Sequence, residues 1–125
     1  MGHGVRGSDT PPARLDAASA AAVAATLQAL TAPSRLLILA RLRESSCTVT
    51  QLTAAVGMEQ SAVSHQLRLL RTMGLVTSAR TGRNVTYDLY DQHVASLLDE
   101  AVYHAEHLRL GASDRPAVAR VAVTG

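Results

Sequence analysis

A glycine-centred break at residues 57–59, between two helix-forming stretches and just ahead of two alternating runs, restricts the possible folds more than any other feature of this chain. The first stretch, about Thr50–Val56, is ended by Gly57, and Met58 and Glu59 complete the turn. The second, about Gln60–Met73, is ended by Gly74. Two helices joined by a short turn containing Gly form a helix-turn-helix corner, a pattern that many helical domains share. The segment after the corner is more selective. Leu75–Ala79 reads as a strand, Thr81-Gly82-Arg83-Asn84 as a turn, and Val85–Tyr90 alternates as a second strand. A hairpin directly after the second helix of such a corner is a wing. The expected fold class is therefore mainly α with a small β-hairpin, a winged helix-turn-helix.

The flanking segments supply further helices. Asp16 is a plausible N-cap for a helix to about Ala32, stopped by Pro33, with Val23, Leu27 and Leu30 at helical spacing. Ser34 reads as the cap of a second helix through Glu44, with Leu36, Leu39, Ala40 and Leu42 facing inward and Ser45-Ser46 breaking it. A last helix spans about Gln92–Leu110, with Gly111 at its end. Residues 1–14, rich in Gly and Pro, read as a flexible arm, 15–111 as the domain and 112–125 as a flexible tail. With three Tyr and neither Phe nor Trp, the core has to come from Ala, Leu and Val, and 22 alanines favour helix.

Several function classes drop out. At 125 residues the chain is too short for a two-domain enzyme or a full dinucleotide-binding fold. One cysteine, Cys47, excludes an internal disulfide framework, a Cys-x-x-Cys redox pair and a multi-thiolate zinc site. No run approaches the roughly 18 apolar residues of a membrane span. Ala17–Leu30 is Ala-rich, contains Thr26 and Gln28 and follows Asp16, which argues against a signal peptide. The expected location is the cytoplasm, with no membrane partner.

The formal charge of +2 hides two opposed blocks. Residues 60–84 carry Arg68, Arg71, Arg80 and Arg83 and no acid; residues 85–108 carry Asp88, Asp91, Asp99, Glu100 and Glu106 and no Arg. On a helical wheel Ser61, Ser64, His65 and Arg68 share one polar face of the Gln60–Met73 helix, opposite Val63, Leu67 and Leu70, with Gln66 the one polar residue on the apolar side. Small hydrogen-bonding side chains and an arginine suit close approach to base edges in the major groove of double-stranded DNA. Gln60, Ser61, Ser64 and His65 are assigned toward bases. Arg68 and the wing residues Arg80 and Arg83 are assigned toward phosphate or minor groove, since phosphate contacts position a protein and base contacts specify sequence.

The acidic block carries a second constellation. His93, His104 and His107 fall on one face of the last helix, with Asp91 two residues before the first. His93 and His104 lie about 16 Å apart along a straight helix, too far for one ion with ligand bonds near ~2 Å. Two antiparallel copies of the helix crossing near Leu98 remove the difficulty. His93 then lies beside the partner's His104 and Asp91 beside the partner's His107, giving a twofold dimer with two identical sites. The stripe Val94, Leu97, Leu98, Ala101, Ala105 and Leu108 would pack the dimer. Nitrogen and oxygen donors suit zinc, cobalt or nickel and disfavour copper(I). Removal of Met1 would leave a Gly2 amine next to His3, able to chelate a divalent ion and to raise coordination toward six, which favours nickel or cobalt over tetrahedral zinc.

Ala32-Pro33-Ser34-Arg35, Gln60-Ser61-Ala62-Val63-Ser64-His65-Gln66-Leu67, the Gly82-Arg83 wing and Asp91-x-His93…His104-x-x-His107 resemble the ArsR/SmtB family of winged-helix metal-sensing repressors over about residues 16–110. Met1-Gly2-His3-Gly4-Val5, with Tyr103-His104-x-Glu106-His107, is similar to nickel- and cobalt-sensing members, which strengthens Gly2 and His3 as ligands. The resemblance implies a homodimer joined through first and last helices. It also implies that the apo dimer binds operator DNA of its own gene or of a metal-efflux gene and leaves it on taking up nickel or cobalt, with zinc as the alternative effector. The chain departs from members that sense with Cys-Val-Cys: Cys47-Thr48-Val49 has one thiol, expected to be a buried small hydrophobe. Arg109 and Pro116 stand where other members have further histidines, so the tail is not expected to ligate. Two rival readings remain, a constitutive DNA-binding repressor with idle histidines and a metal carrier or metal-dependent hydrolase. The hydrolase would need an open coordination position and a base set in a cleft.

Overall fold

Asp16 opens the first helix through a reciprocal cap. Its carboxylate accepts from the Ser19 N–H at 2.9 Å, while the Ser19 hydroxyl oxygen accepts from the Asp16 N–H at 2.9 Å. The structure, a computed structural model, describes residues 11–111, and this helix, α1, covers Ala17–Gln28. The expected arm ligands Gly2 and His3 and the expected tail 112–125 lie outside the described residues.

α1 stops short of the expected Ala32. The Thr31 hydroxyl donates to the Gln28 carbonyl at 2.8 Å, and such local side-chain bonds compete with helix continuation. Pro33 then begins α2, Pro33–Glu44, at its first position, where a missing N–H costs nothing. Ser34 is therefore inside the first turn; the N-cap is Ala32, without a side-chain cap bond. The α1 and α2 axes differ by 84°.

A strand that the sequence did not announce comes next: β1, Cys47–Thr48. Thr48 also caps α3, Val49–Val56, in a box with Gln51, at 3.1 Å for Gln51 N–H to Thr48 Oγ1 and 2.9 Å for Thr48 N–H to Gln51 Oε1. Gly57 ends α3 at φ 70°, a left-handed conformation that a side chain would strain. The turn leads into α4, Gln60–Thr72. The hairpin β2, Val76–Thr81, and β3, Asn84–Leu89, pairs from Val76↔Leu89 to Thr81↔Asn84. β1 joins the other side of β3 through Cys47↔Tyr87 and Thr48↔Thr86, giving a three-stranded antiparallel sheet in the order β1-β3-β2. α5, Gln92–Gly111, completes the described chain.

The core is aliphatic. Ile38, Leu39 and Leu42 of α2 meet Leu52 of α3, Val63, Leu67 and Leu70 of α4, and Val94 and Leu98 of α5. Cys47 is fully buried among them, as expected of a small hydrophobe. On α2 the buried face is Ile38, Leu39 and Leu42, whereas Leu36 and Ala40, expected inward, point away. With Leu37 they line one wall of an open groove of about 510 Å³, and Leu98, Val102 and Ala105 of α5 line the other. α1 buries none of its 12 residues, and Val23 and Leu27 are exposed. Of the apolar marks expected along this first helix, Leu30 lies just past its end and packs half-buried against the core, whereas Val23, Leu27 and the outer half of the α5 stripe are surface in a single protomer. No single described helix is long and apolar enough to cross a membrane.

Candidate DNA-reading face and metal centre

Burial of Val63, Leu67 and Leu70 fixes which side of α4 points outward. Gln60, Ser61, His65 and Arg68 are exposed along that outer side and Ser64 is half-buried, so the structure brings together the five α4 residues assigned to DNA. Glu59 precedes the helix without a side-chain cap bond, so its carboxylate is not tied to the first-turn N–H groups. Those donors remain available to a phosphate. Across the hairpin Arg80 pairs with Val85 in the ladder, and Arg83 occupies the two-residue tip with Gly82, whose φ of 63° the tight turn requires. Both arginines are exposed. Arg71, in the last turn of α4, is a further exposed cation beyond those assigned.

Gln66 loses its oddity. Its Oε1 accepts from Arg35 Nε at 2.8 Å, a partly buried bond between α4 and α2. Sequence spacing gave no sign of this partner, which lies 31 residues earlier.

The four described metal candidates form two pairs at opposite ends of α5. Asp91 Oδ1 accepts from the Val94 N–H at 3.2 Å and so anchors the start of the helix, while Asp91 Oδ2 lies 3.4 Å from His93 Nδ1. The His93 side chain is 97% exposed. Farther along, His104 and His107 share an open recess of about 300 Å³ with Glu100 and Tyr103. Glu100 escaped the sequence reading, although it stands four residues before His104 and seven before His107, on the same helical face. Glu106, between the two histidines in sequence, is engaged elsewhere. Arg109 donates to both its oxygens, and that bonding holds the Glu106 carboxyl below its ordinary range. Among the described residues, no group of three or more His, Cys, Asp or Glu within one protomer is placed to hold an ion. The donors are imidazole and carboxylate on an exposed helix face, a set that fits a divalent ion such as zinc, cobalt or nickel. Within one protomer the four candidates stand as two separate pairs.

On the inner side of α5, Asp99 accepts from Arg43 Nε at 3.2 Å and from Nη2 at 3.0 Å. The Asp99 carboxylate raises the Arg43 pKa, through the hydrogen bond first and charge second. Both residues of this pair line the α2–α5 groove.

Residues 32–78 match the family described as bacterial regulatory protein, arsR family. The HTH-type transcriptional regulator NmtR of Mycobacterium tuberculosis (strain ATCC 25618 / H37Rv) is 64% identical over 115 residues, which is 92% of this chain and 96% of that protein. The solution structure of apo-NmtR covers 94% of this chain and 99% of its own, with a TM-score of 0.68 and 62% identity. The HTH-type transcriptional repressor SmtB of the same strain is 43% identical over 97 residues, 76% of this chain and 68% of SmtB. A homodimeric winged helix-turn-helix DNA-binding domain (fragment 1-100) from Mycobacterium bovis aligns with a TM-score of 0.67 at 30% identity, over 76% of this chain and 87% of that one.

Proposed function

This chain belongs to the arsR family of bacterial regulatory proteins, a DNA-binding transcription regulator rather than an enzyme, and from that premise we propose that it is a homodimeric repressor whose grip on operator DNA is released by nickel or cobalt. The single observation that carries the reading is the division of α5 into two half-sets of ligands, Asp91 and His93 at one end and His104 and His107 at the other. Each set lacks what the other supplies, and a twofold axis near Leu98 combines them.

Dimerisation also accounts for the apolar surface. α1 has no buried residue of its own, and the α2–α5 groove is lined by aliphatic side chains. A second copy covers both, at a gain of roughly 25 cal/mol for each Å² of apolar surface removed from water. The homodimeric neighbour from Mycobacterium bovis supports this assembly.

The α4 face reads bases with Gln60, Ser61, Ser64 and His65, while Arg68, Arg80 and Arg83 hold phosphate or minor groove. Asp91 and His93 of one protomer, with His104 and His107 of the partner subunit, would hold the ion, and Gly2 and His3 would add donors that favour nickel or cobalt over zinc. A bound divalent ion supplies a fixed link between the two α5 helices. Asp91 is suited to passing that constraint inward, because the same carboxylate accepts the Val94 N–H and Val94 is buried in the core. The dimer then favours a spacing of reading helices that no longer matches successive major grooves. The coupling is expected at 1–3 kcal/mol, about 5–150-fold in operator affinity. The regulated gene is assigned to metal efflux, and the protein acts in the cytoplasm.

His104→Ala tests the division of labour. The variant is expected to bind operator as tightly as the parent and to ignore nickel in a fluorescence anisotropy titration. Loss of operator binding in the metal-free variant would overturn it.

A further inference from the structure

Arg35 joins three elements that the proposed function requires to move together. Its Nε donates to Gln66 on α4 at 2.8 Å, and its Nη1 donates to the Ala29 carbonyl at 3.3 Å. Ala29 is the C-cap of α1 and is fully buried, so the guanidinium also serves one of the carbonyls left open at a helix end. Among the described residues this is the one side-chain hydrogen bond tying the end of α1 to α2 or α4. α1 itself buries none of its 12 residues and meets α2 at 84°; apart from this bond its end is held by Ala29 and Leu30, which pack into the core just past its last turn. Gln66 lies on the inner side of α4, flanked by the buried Val63, Leu67 and Leu70. A guanidinium is planar with rigidly spaced donors, so its two bonds fix an angle as well as a distance. A lysine would keep the charge and lose that constraint.

We propose that Arg35, through Gln66, is the positioning residue that transmits the orientation of α1 to the reading helix α4, and thereby makes operator affinity depend on the state of the dimer. The proposal rests on the metal-released homodimer described above. In that dimer α1 packs against the partner subunit, so a shift between protomers reaches α1 before it reaches the DNA-reading heads. Among the described residues the hydrogen bonds of Arg35 go to Gln66 and Ala29 and to none of the residues assigned to DNA or to the ion, so its effect shows in the coupling and not in the ion affinity of the DNA-free protein.

The test uses the full-length protein, a fluorescent operator duplex and nickel chloride, with Arg35→Lys, Gln66→Met and Gln66→Glu beside the parent. The parent is expected to lose about 5–150-fold in duplex affinity on adding nickel, and Arg35→Lys and Gln66→Met to lose less than about twofold. Nickel affinity without DNA, read by calorimetry, is expected to stay within about twofold of the parent in both, far below the coupling range. Gln66→Glu keeps an acceptor for Arg35 Nε and is expected to retain the nickel response. Circular dichroism melts identify any variant that fails to fold, and the two positions serve as independent probes. Folded Arg35→Lys and Gln66→Met proteins that respond to nickel as the parent does would overturn the proposal, as would a Gln66→Glu protein as unresponsive as Gln66→Met. A parent that binds duplex and ignores nickel gives a different pattern, and would overturn the metal reading together with this proposal.

Discussion

Mixing two inactive variants is expected to restore one ligand set out of two. α5 is continuous from Gln92 to Gly111, so helical rise sets His93 and His104 about 16 Å apart along the axis. An ion with ligand bonds near ~2 Å cannot take both from one helix. In a His93→Asn dimer both shared sites lack His93, and in a His104→Asn dimer both lack His104. A heterodimer of the two variants has one site missing both imidazoles and one site intact, with Asp91 and His93 from the second variant and His104 and His107 from the first. Random exchange in an equal mixture makes half of the dimers mixed, so high-affinity nickel capacity is expected at about one quarter of the parent's, against about zero for either variant alone. The assay is nickel titration against a competing chelator, before and after subunit exchange. Capacity that stays near zero after exchange, with heterodimers confirmed by native mass spectrometry, would refute the shared site. Full capacity in either variant alone would refute the ligand assignment.

Other expected outcomes concern single residues. Leu67→Ala removes a 1%-exposed side chain from the inner face of α4 and is expected to cost about 2–5 kcal/mol, read in urea unfolding; a loss below about 1 kcal/mol would show that α4 is not anchored as described. Thr48→Ala breaks the capping box of α3 and is expected to cost about 1 kcal/mol in the same assay, with Thr48→Ser close to the parent. Arg68→Gln is expected to weaken binding to specific and non-specific duplexes alike and to lower the salt slope by about one unit, whereas a loss confined to one operator position would reassign Arg68 to base reading. The Asp16 carboxyl is held below its ordinary value, chiefly by the Ser19 N–H bond. A depressed acid stabilises the fold above its unfolded-state pKa and loses that contribution as pH falls through the folded value, so α1 is expected to fray in acid. Asp16→Asn keeps a capping oxygen that does not titrate, and a Ser19 amide protection factor, corrected for the intrinsic exchange rate, that falls in acid as steeply in this variant as in the parent would contradict the cap's role.

The parts of the fold with strong local signals were readable from the chain. The wing followed from alternation, the corner from Gly57, and the outward face of α4 from the spacing of Val63, Leu67 and Leu70. What escaped depends on pairing across sequence. β1 is two residues long and exists because Cys47 and Thr48 find Tyr87 and Thr86 on β3, too short a run for any periodicity to reveal. Ser34 looked like a cap because of its chemistry, yet Pro33 fits the first helical position and moved the cap two residues back, to Ala32. Leu36 and Ala40 were expected inside because apolar spacing cannot distinguish a core from an open apolar groove. The same blindness hid Arg35 and Gln66: a polar residue on an apolar face is only anomalous until its distant partner is seen. At the candidate metal centre the helical spacing of His104 and His107 pointed to the recess they share, while the Glu100 and Tyr103 that complete its lining, and the engagement of Glu106 by Arg109, needed coordinates.

One dimer is proposed both to read DNA and to report on a divalent ion. The most direct test tracks the anisotropy of a duplex from upstream of this chain's own gene as metal-free protein is added, then nickel, with zinc in a parallel run. Saturable binding is expected, then release by nickel over the about 5–150-fold range of a typical coupling, with a weaker effect of zinc. Tight binding that neither ion alters would contradict this dual role and leave a constitutive repressor in its place.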